Sequence, residues 1–226
     1  MKIGIVIPWR PQPSRMEPKK FVVAHYKKIL PDAKIYFADK KGERWNISGS
    51  RNIGCDMAIA DGCDVIVVSD ADIYVNKDTL LDACKYSFEN DLCSLPFDHL
   101  GGIDEDEVSK FIKHGIDGNT EYKIKWTRAQ MGGVCIITPK LFKLLNGWDE
   151  RFTGWGYEDL AFRVAHILIA GSDIHRGSER TAAFWLGHSD RDKSTETLNS
   201  KLFEFYKILH KQEVEDWIKG NRFELL

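Results

Sequence analysis

The sequence predicts an α/β fold with a mixed, mainly parallel sheet flanked by helices. Three observations carry this reading. Short apolar, β-branched runs alternate with helix-period segments through the first seventy residues, the pattern of strands joined by crossover helices. The third of these runs, Val65-Ile66-Val67-Val68, is apolar on both faces, as a central parallel strand must be. Directly after it stands Ser69-Asp70-Ala71-Asp72, two carboxylates at the strand edge where open α/β sheets bind their ligands.

Taken in order, residues 3–7 read as a buried strand ended by Pro8. Residues 10–18 hold three prolines and are expected to be irregular. Residues 19–30 have helical spacing through Phe21, Val22, Ala24 and Ile29, and Pro31 stops them. A second strand covers 35–38 and ends at Asp39. A polar loop over 40–48 leads to a helix capped by Ser50 and running to Ala60, then to the strand at 65–68. Helix is expected over 79–89, a short strand over 92–96, and an acidic, less regular stretch over 99–125. Strand over 131–138 and helix over 140–145 follow. The loop from Gly147 to Gly156 is rich in aromatics and glycine, and it enters a helix over 157–170. A strand over 181–186 and a long amphipathic helix over 195–218 complete the chain.

Composition limits the possible functions. The chain has 226 residues, 43% hydrophobic and 29% charged, which is globular and excludes a disordered or fibrous chain. The 32 basic residues nearly balance 34 acidic ones, so the formal charge of −2 provides no general field for nucleic acid or anionic membrane. No run approaches the ~18 apolar residues of a membrane helix. Five cysteines (Cys55, Cys63, Cys84, Cys93, Cys135) include no CxxC pair, consistent with free thiols in a reducing compartment. The expectation is a cytoplasmic protein of one domain, 1–226, with a nucleotide-type half over 1–98 and an acceptor-side, catalytic half over 99–226.

Three constellations can carry chemistry. Asp70 and Asp72 repel each other unless a cation lies between them, and hard divalent ions favour carboxylate oxygen; the plainer alternative is that they cap the next turn. In Gly147 to Asp159, a Gly/Trp loop delivers Glu158 and Asp159 to a helix start. There they either complement the helix dipole or serve an aromatic-lined sugar site in which a carboxylate removes a hydroxyl proton. His188, after a strand, is a candidate third ligand for an Mn²⁺-like ion or simply a polar residue.

Together these residues resemble glycosyltransferases of the GT-A fold, which use nucleotide sugars on a Rossmann-like sheet. Ile5-Val6-Ile7-Pro8-Trp9-Arg10, Ser50-Arg51-Asn52-Ile53-Gly54 and Val67-Val68-Ser69-Asp70-Ala71-Asp72 fall in the family's order. Gly132-Gly133-Val134, Asn146-Gly147-Trp148-Asp149-Glu150 and Gly154-Trp155-Gly156-Tyr157-Glu158-Asp159 are similar to the C-terminal segment of family-2-like enzymes and β-1,4-galactosyltransferases. That pattern carries a further acidic residue after the Glu-Asp pair, where this chain has Leu160, so donor and acceptor preference do not carry over.

The resemblance implies that Pro8, Arg10 and Asp39 line the base and ribose and that Arg51 faces the diphosphate. It places Asp70 on ribose or metal, Asp72 on metal, and His188 as the ligand completing an Mn²⁺ or Mg²⁺ site. Gly132 and Gly133 would admit the donor sugar, Trp155 would form the acceptor platform, and Asp159, beside Glu158, would be the general base. The implied activity is transfer from a nucleotide sugar, UDP-sugar first, to a hydroxyl acceptor, glycan first, with inversion. A nucleic-acid acceptor is disfavoured by the charge balance. Three rival readings fit part of the pattern. A haloacid-dehalogenase-type phosphatase also has Asp-x-Asp after a strand, but Tyr74 stands where its Thr or Val belongs. A nucleotidyltransferase should show glycine after the first strand, where Pro8-Trp9-Arg10-Pro11-Gln12-Pro13 has none. A non-catalytic glycan- or nucleotide-binding module would need no base.

Overall fold

The computed structural model describes residues 1–116, 120–178, 183–187 and 194–208. Its centre is a parallel trio: β1 (Ile3–Pro8) lies between β2 (Lys34–Ala38) and β3 (Val65–Ser69), paired in parallel with both. Every residue of β3 is buried, as its unbroken apolar run requires. The crossovers are α1 (Met16–Ile29) and α2 (Ile47–Ala60).

Both helices begin earlier than the sequence pattern places them. Residues 13–15 form a 3₁₀ turn that runs into α1 at Met16, so the stretch expected to be irregular is largely helical. Pro13 and Pro18 fall in first turns, where a missing N–H removes no helical hydrogen bond. The cap of α2 is Asn46, whose Oδ1 accepts from the Gly49 N–H at 2.7 Å. Ser50 lies one turn inside, its hydroxyl donating to the Asn46 carbonyl at 2.7 Å and accepting from the Lys40 N–H at 2.9 Å.

Beyond β3 come β4 (Ile73–Val75), α3 (Lys77–Asn90), β5 (Ser94–Leu95) and β6 (Leu100–Ile103). A 3₁₀ turn, Glu105–Glu107, precedes α4 (Val108–His114), then β7 (Ile124–Arg128), β8 (Val134–Ile137) and α5 (Pro139–Leu145). The described chain closes with α6 (Glu158–Ala170), β9 (His175–Arg176), β10 (Ala183–Leu186) and α7 (Glu196–Ile208). The rest of the last expected helix, 209–218, lies outside the described residues.

The main sheet has the order β2-β1-β3-β8-β5-β9, with β8 antiparallel to both neighbours, and matches the expected mixed sheet flanked by helices. A second sheet, β4-β10-β6-β7, was not foreseen. Two of its strands hide in the acidic stretch read as irregular. Gly101 and Gly102 weaken the strand signal of β6, and a Cβ on Gly102 would come within 2.3 Å of the Trp126 indole that covers it. Strands β4 and β10 pair antiparallel, Ile73 opposite Trp185, so the second sheet begins one residue after Asp72. The two sheets thus meet where the paired aspartates stand.

Candidate functional site

A cleft of about 650 Å³ opens at the carboxyl end of β3, a size within the usual range for a small-molecule site. Its lining includes Asp70, Asp72, Gly132, Gly133, Trp155, Glu158 and Asp159, so seven residues from separate sequence blocks converge. Asp72 is 2% exposed. Its Oδ1 accepts from Arg15 Nη2 at 3.2 Å and its Oδ2 from Trp185 Nε1 at 3.1 Å. The Asp72 carbonyl takes the Leu186 N–H at 2.8 Å, which ties the loop to the second sheet. The Asp70 N–H donates to the Gly133 carbonyl at 2.8 Å.

Arg51 forms the underside of the site. It is 3% exposed, yet its guanidinium meets three carboxylates: Asp159 at 2.6 Å, Asp70 at 3.3 Å and Glu158 at 3.8 Å. Burial alone would lower its pKa, but Asp159, Asp70 and Glu158 outweigh that and raise it, so it is a permanent cation. Burial pushes the Asp70 carboxyl up against the opposing pull of Arg51, and the charges of Asp72 and Asp159 add to the rise. Glu158 is pushed up to about 8, first by burial and then by Asp159. Near neutral pH it therefore holds a proton, and of the pair it is Asp159 that makes the closer contact with Arg51.

Gly132 explains how close this packing is. A Cβ there would lie 2.1 Å from Asp159 Oδ2, so only glycine lets that carboxylate fold over the cleft wall. Gly133 differs: its φ of +109° is a backbone conformation that L side chains rarely adopt.

Two buried asparagines hold the Gly/Trp loop. Asn52 on α2 clamps Trp148 from both sides, donating to its carbonyl and accepting from its N–H, each at 2.9 Å, and also donates to Glu150 Oε1 at 2.9 Å. Asn199 on α7 donates to the carbonyls of Thr153, Trp155 and Gly156 at 2.9, 3.2 and 3.1 Å. Between them Tyr157, the residue before α6, has a left-handed φ of +73°, a strain of about 1–3 kcal/mol for a side chain of this bulk. That turn aims Glu158 and Asp159 into the cleft at the N-terminus of α6, where the helix dipole favours negative charge.

The remaining expected residues divide into three groups. Pro8, Arg10 and Asp39 lie at the ends of β1 and β2, outside the lining of this cleft. Arg10 donates to Asp39 Oδ1 from Nε at 3.1 Å and from Nη2 at 2.8 Å, and it covers the Trp45 ring, which does line the cleft. Burial would raise the Asp39 carboxyl, but hydrogen bonds from Arg10 and Lys41 hold it below the usual range. Trp155, 37% exposed, borders the cleft. His188 lies outside the described residues. Arg51, expected to face a diphosphate, lies beneath the carboxylates of the cleft.

Sequence reasoning missed Gln12, Arg15, Asn199 and the stacked pair Trp126–Trp185, whose ring centroids are 5.8 Å apart. None of these stands in a motif, and each reaches the site only through tertiary packing.

The donor chemistry fits a hard divalent cation, since the oxygens of Asp70, Asp72 and Asp159 share one cleft, where they face the guanidinium groups of Arg15 and Arg51. Among the described residues no group of three His, Cys, Asp or Glu side chains is arranged to hold a metal ion.

Comparison with known proteins identifies the fold. The catalytic domain of Drosophila β1,4-galactosyltransferase 7, in complex with xylobiose, superposes with a TM-score of 0.60 at 20% identity, covering 88% of this chain and 79% of that one. The chain has the GT-A glycosyltransferase fold. A mutant of the same Drosophila enzyme, in complex with manganese, UDP-Gal and xylobiose, gives a TM-score of 0.56 at 20% identity, with the same coverage. Residues 113–185 match the family described as the N-terminal domain of galactosyltransferase. That segment holds Gly132, Gly133, Trp155, Glu158 and Asp159, so the GT-A fold and the segment together support a glycosyltransferase. No curated protein matches the sequence. Among the described residues no helix is long and apolar enough to cross a membrane.

Proposed function

We propose that this chain transfers a sugar from a nucleoside diphosphate sugar, UDP-sugar first, to a hydroxyl of a glycan acceptor, with inversion. The observation that carries the reading is the placement of Asp159. It is an Arg51-oriented carboxylate beside Trp155 and in the same cleft as Asp70 and Asp72. The similar Drosophila enzyme, seen with manganese, UDP-Gal and xylobiose, supports the same donor and acceptor classes.

The chemistry follows from where charge appears. The acceptor hydroxyl oxygen attacks the anomeric carbon from the face opposite the diphosphate, the bond from that carbon to the diphosphate oxygen breaks, and the hydroxyl proton passes to Asp159. Arg51 holds Asp159 Oδ1 and leaves Oδ2 turned toward Gly132 at the cleft wall. Glu158, protonated near neutral pH, avoids a second full negative charge beside the base. Trp155 offers an apolar face for sugar C–H groups. Asp70 and Asp72 would hold Mn²⁺ or Mg²⁺, which when bound offsets the negative charge of the departing diphosphate. Pro8, Arg10 and Asp39 extend this half toward the nucleoside, and His188 is proposed as a further metal ligand.

Thermal stabilisation by nucleoside diphosphates and their sugars, with Mn²⁺, Mg²⁺ or EDTA, tests the reading. A ligand at 100 times its Kd stabilises by about 2.7 kcal/mol, an easily measured shift. A metal-dependent shift selective for one base is expected. No shift with any nucleotide in folded, metal-supplied protein would return Asp70 and Asp72 to turn capping and favour a non-catalytic module.

A further inference from the structure

Both carboxylate oxygens of Asp72 are engaged by this chain's own groups, Oδ1 by Arg15 and Oδ2 by the Trp185 indole. The Arg15 side chain is 14% exposed and its Nε is buried with no hydrogen-bond partner among the described residues. Also in the lining, Gln12 Oε1 is likewise buried and has no partner among the described residues. Buried polar atoms are rarely left unpaired, because each such atom is costly to bury. A guanidinium with one end on an aspartate and an unused N–H in a ligand-sized cleft is a cation placed to exchange partners. It follows from the early start of α1, since the 3₁₀ turn over 13–15 aims Arg15 across the carboxyl ends of the strands toward Asp72.

We propose that Arg15 is the internal counter-ion of Asp72, that a divalent cation must displace it, and that the freed guanidinium then binds the diphosphate of the incoming nucleotide. The inference rests on the metal and nucleotide reading of the same cleft. It makes Arg15 a binding residue for the nucleotide and couples the two ligands. Without nucleotide the guanidinium competes for Asp72, and with nucleotide it has an anion of its own. The cleft then takes metal and diphosphate together rather than free metal. The planar guanidinium suits both partners, since it matches carboxylate and phosphate oxygens alike.

The test is Mn²⁺ binding to the full chain, followed by the electron paramagnetic resonance signal of free Mn²⁺, with and without UDP. The proteins are wild type, Arg15→Gln and Arg15→Lys. A neighbouring opposite charge changes the affinity of a carboxylate for a competing cation by about tenfold or more. Arg15→Gln is therefore expected to bind Mn²⁺ alone at least about tenfold more tightly than wild type. The gain in Mn²⁺ affinity that UDP confers is expected to shrink by a similar factor. Arg15→Lys, which keeps the charge but not the fork, is expected to lie between. Melting in EDTA confirms that each variant is folded.

If wild type and Arg15→Gln bind Mn²⁺ equally, and UDP enhances both alike, the inference is overturned while the metal and nucleotide reading stands. If UDP binds wild type equally well in EDTA and Arg15→Gln abolishes that binding, Arg15 is a fixed substitute for the metal and the exchange is refuted. If no variant binds Mn²⁺ or UDP, the underlying reading fails and the inference with it.

Discussion

Replacing Gly132 with alanine should separate the fold from the chemistry. The new Cβ would start 2.1 Å from Asp159 Oδ2, about 1.3 Å short of ordinary contact at 3.4 Å. The atom in the way is the end of a carboxylate, which can rotate, and Gly132 does not have a left-handed backbone. The fold accommodates the methyl, and the smaller entropy of the unfolded chain offsets, by up to about 1 kcal/mol, part of the cost of drawing Asp159 away from the buried Arg51 guanidinium. The carboxylate, however, must leave its place against Arg51 by an ångström or more. Misplacement of a reacting group by ~1 Å costs on the order of 10²-fold, or about 2.7 kcal/mol of transition-state stabilisation. The assay is release of nucleoside diphosphate from the sugar donor and acceptor that wild type turns over, alongside melting temperature and nucleotide affinity. The expected outcome is a folded protein that melts below wild type, with unchanged nucleotide affinity and a rate about a hundredfold lower. A wild-type rate in folded Gly132→Ala would refute the placement of Asp159 as base.

Three further outcomes follow from the same geometry. Asp159→Asn should lower transfer by orders of magnitude with nucleotide affinity nearly unchanged, and comparable turnover would remove Asp159 from the reaction. Asn52→Ala strips both partners from the buried N–H and carbonyl of Trp148, so thermal unfolding should show a loss of about 2–4 kcal/mol; a change below 0.5 kcal/mol would show that the loop does not depend on this clamp. Glu158 is pushed from an ordinary glutamate value up to about 8 in the folded chain, so its contribution to stability is full below about pH 4.5 and is lost as pH rises through 8. Glu158→Gln should therefore gain stability relative to wild type over that window, and a melting-temperature difference independent of pH would contradict the buried, protonated state.

The sequence by itself determined the parts of this protein that depend on local chemistry. The parallel trio was legible because β1, β2 and β3 are short apolar runs separated by helix-period segments. Asp70, Asp72, Glu158 and Asp159 were legible because carboxylates at a strand end and a helix start can be recognised without knowing their neighbours. The Gly/Trp loop stood out by composition. What remained hidden depends on contacts between distant segments. The second sheet joins strands centred near residues 74, 102, 126 and 185, and its glycine-bearing strand has a weak propensity signal. Arg51 became the cation beneath three carboxylates only because α2 packs under the loop between β3 and β4 and against the start of α6. Arg15 reached Asp72 across 57 residues, and Asn199 reached the Gly/Trp loop from a helix whose pattern reports packing alone. Residue type and spacing identify which groups can react. The burial and charge neighbours that decide which carboxyl holds a proton, and which cation holds which aspartate, arise only when the chain has folded.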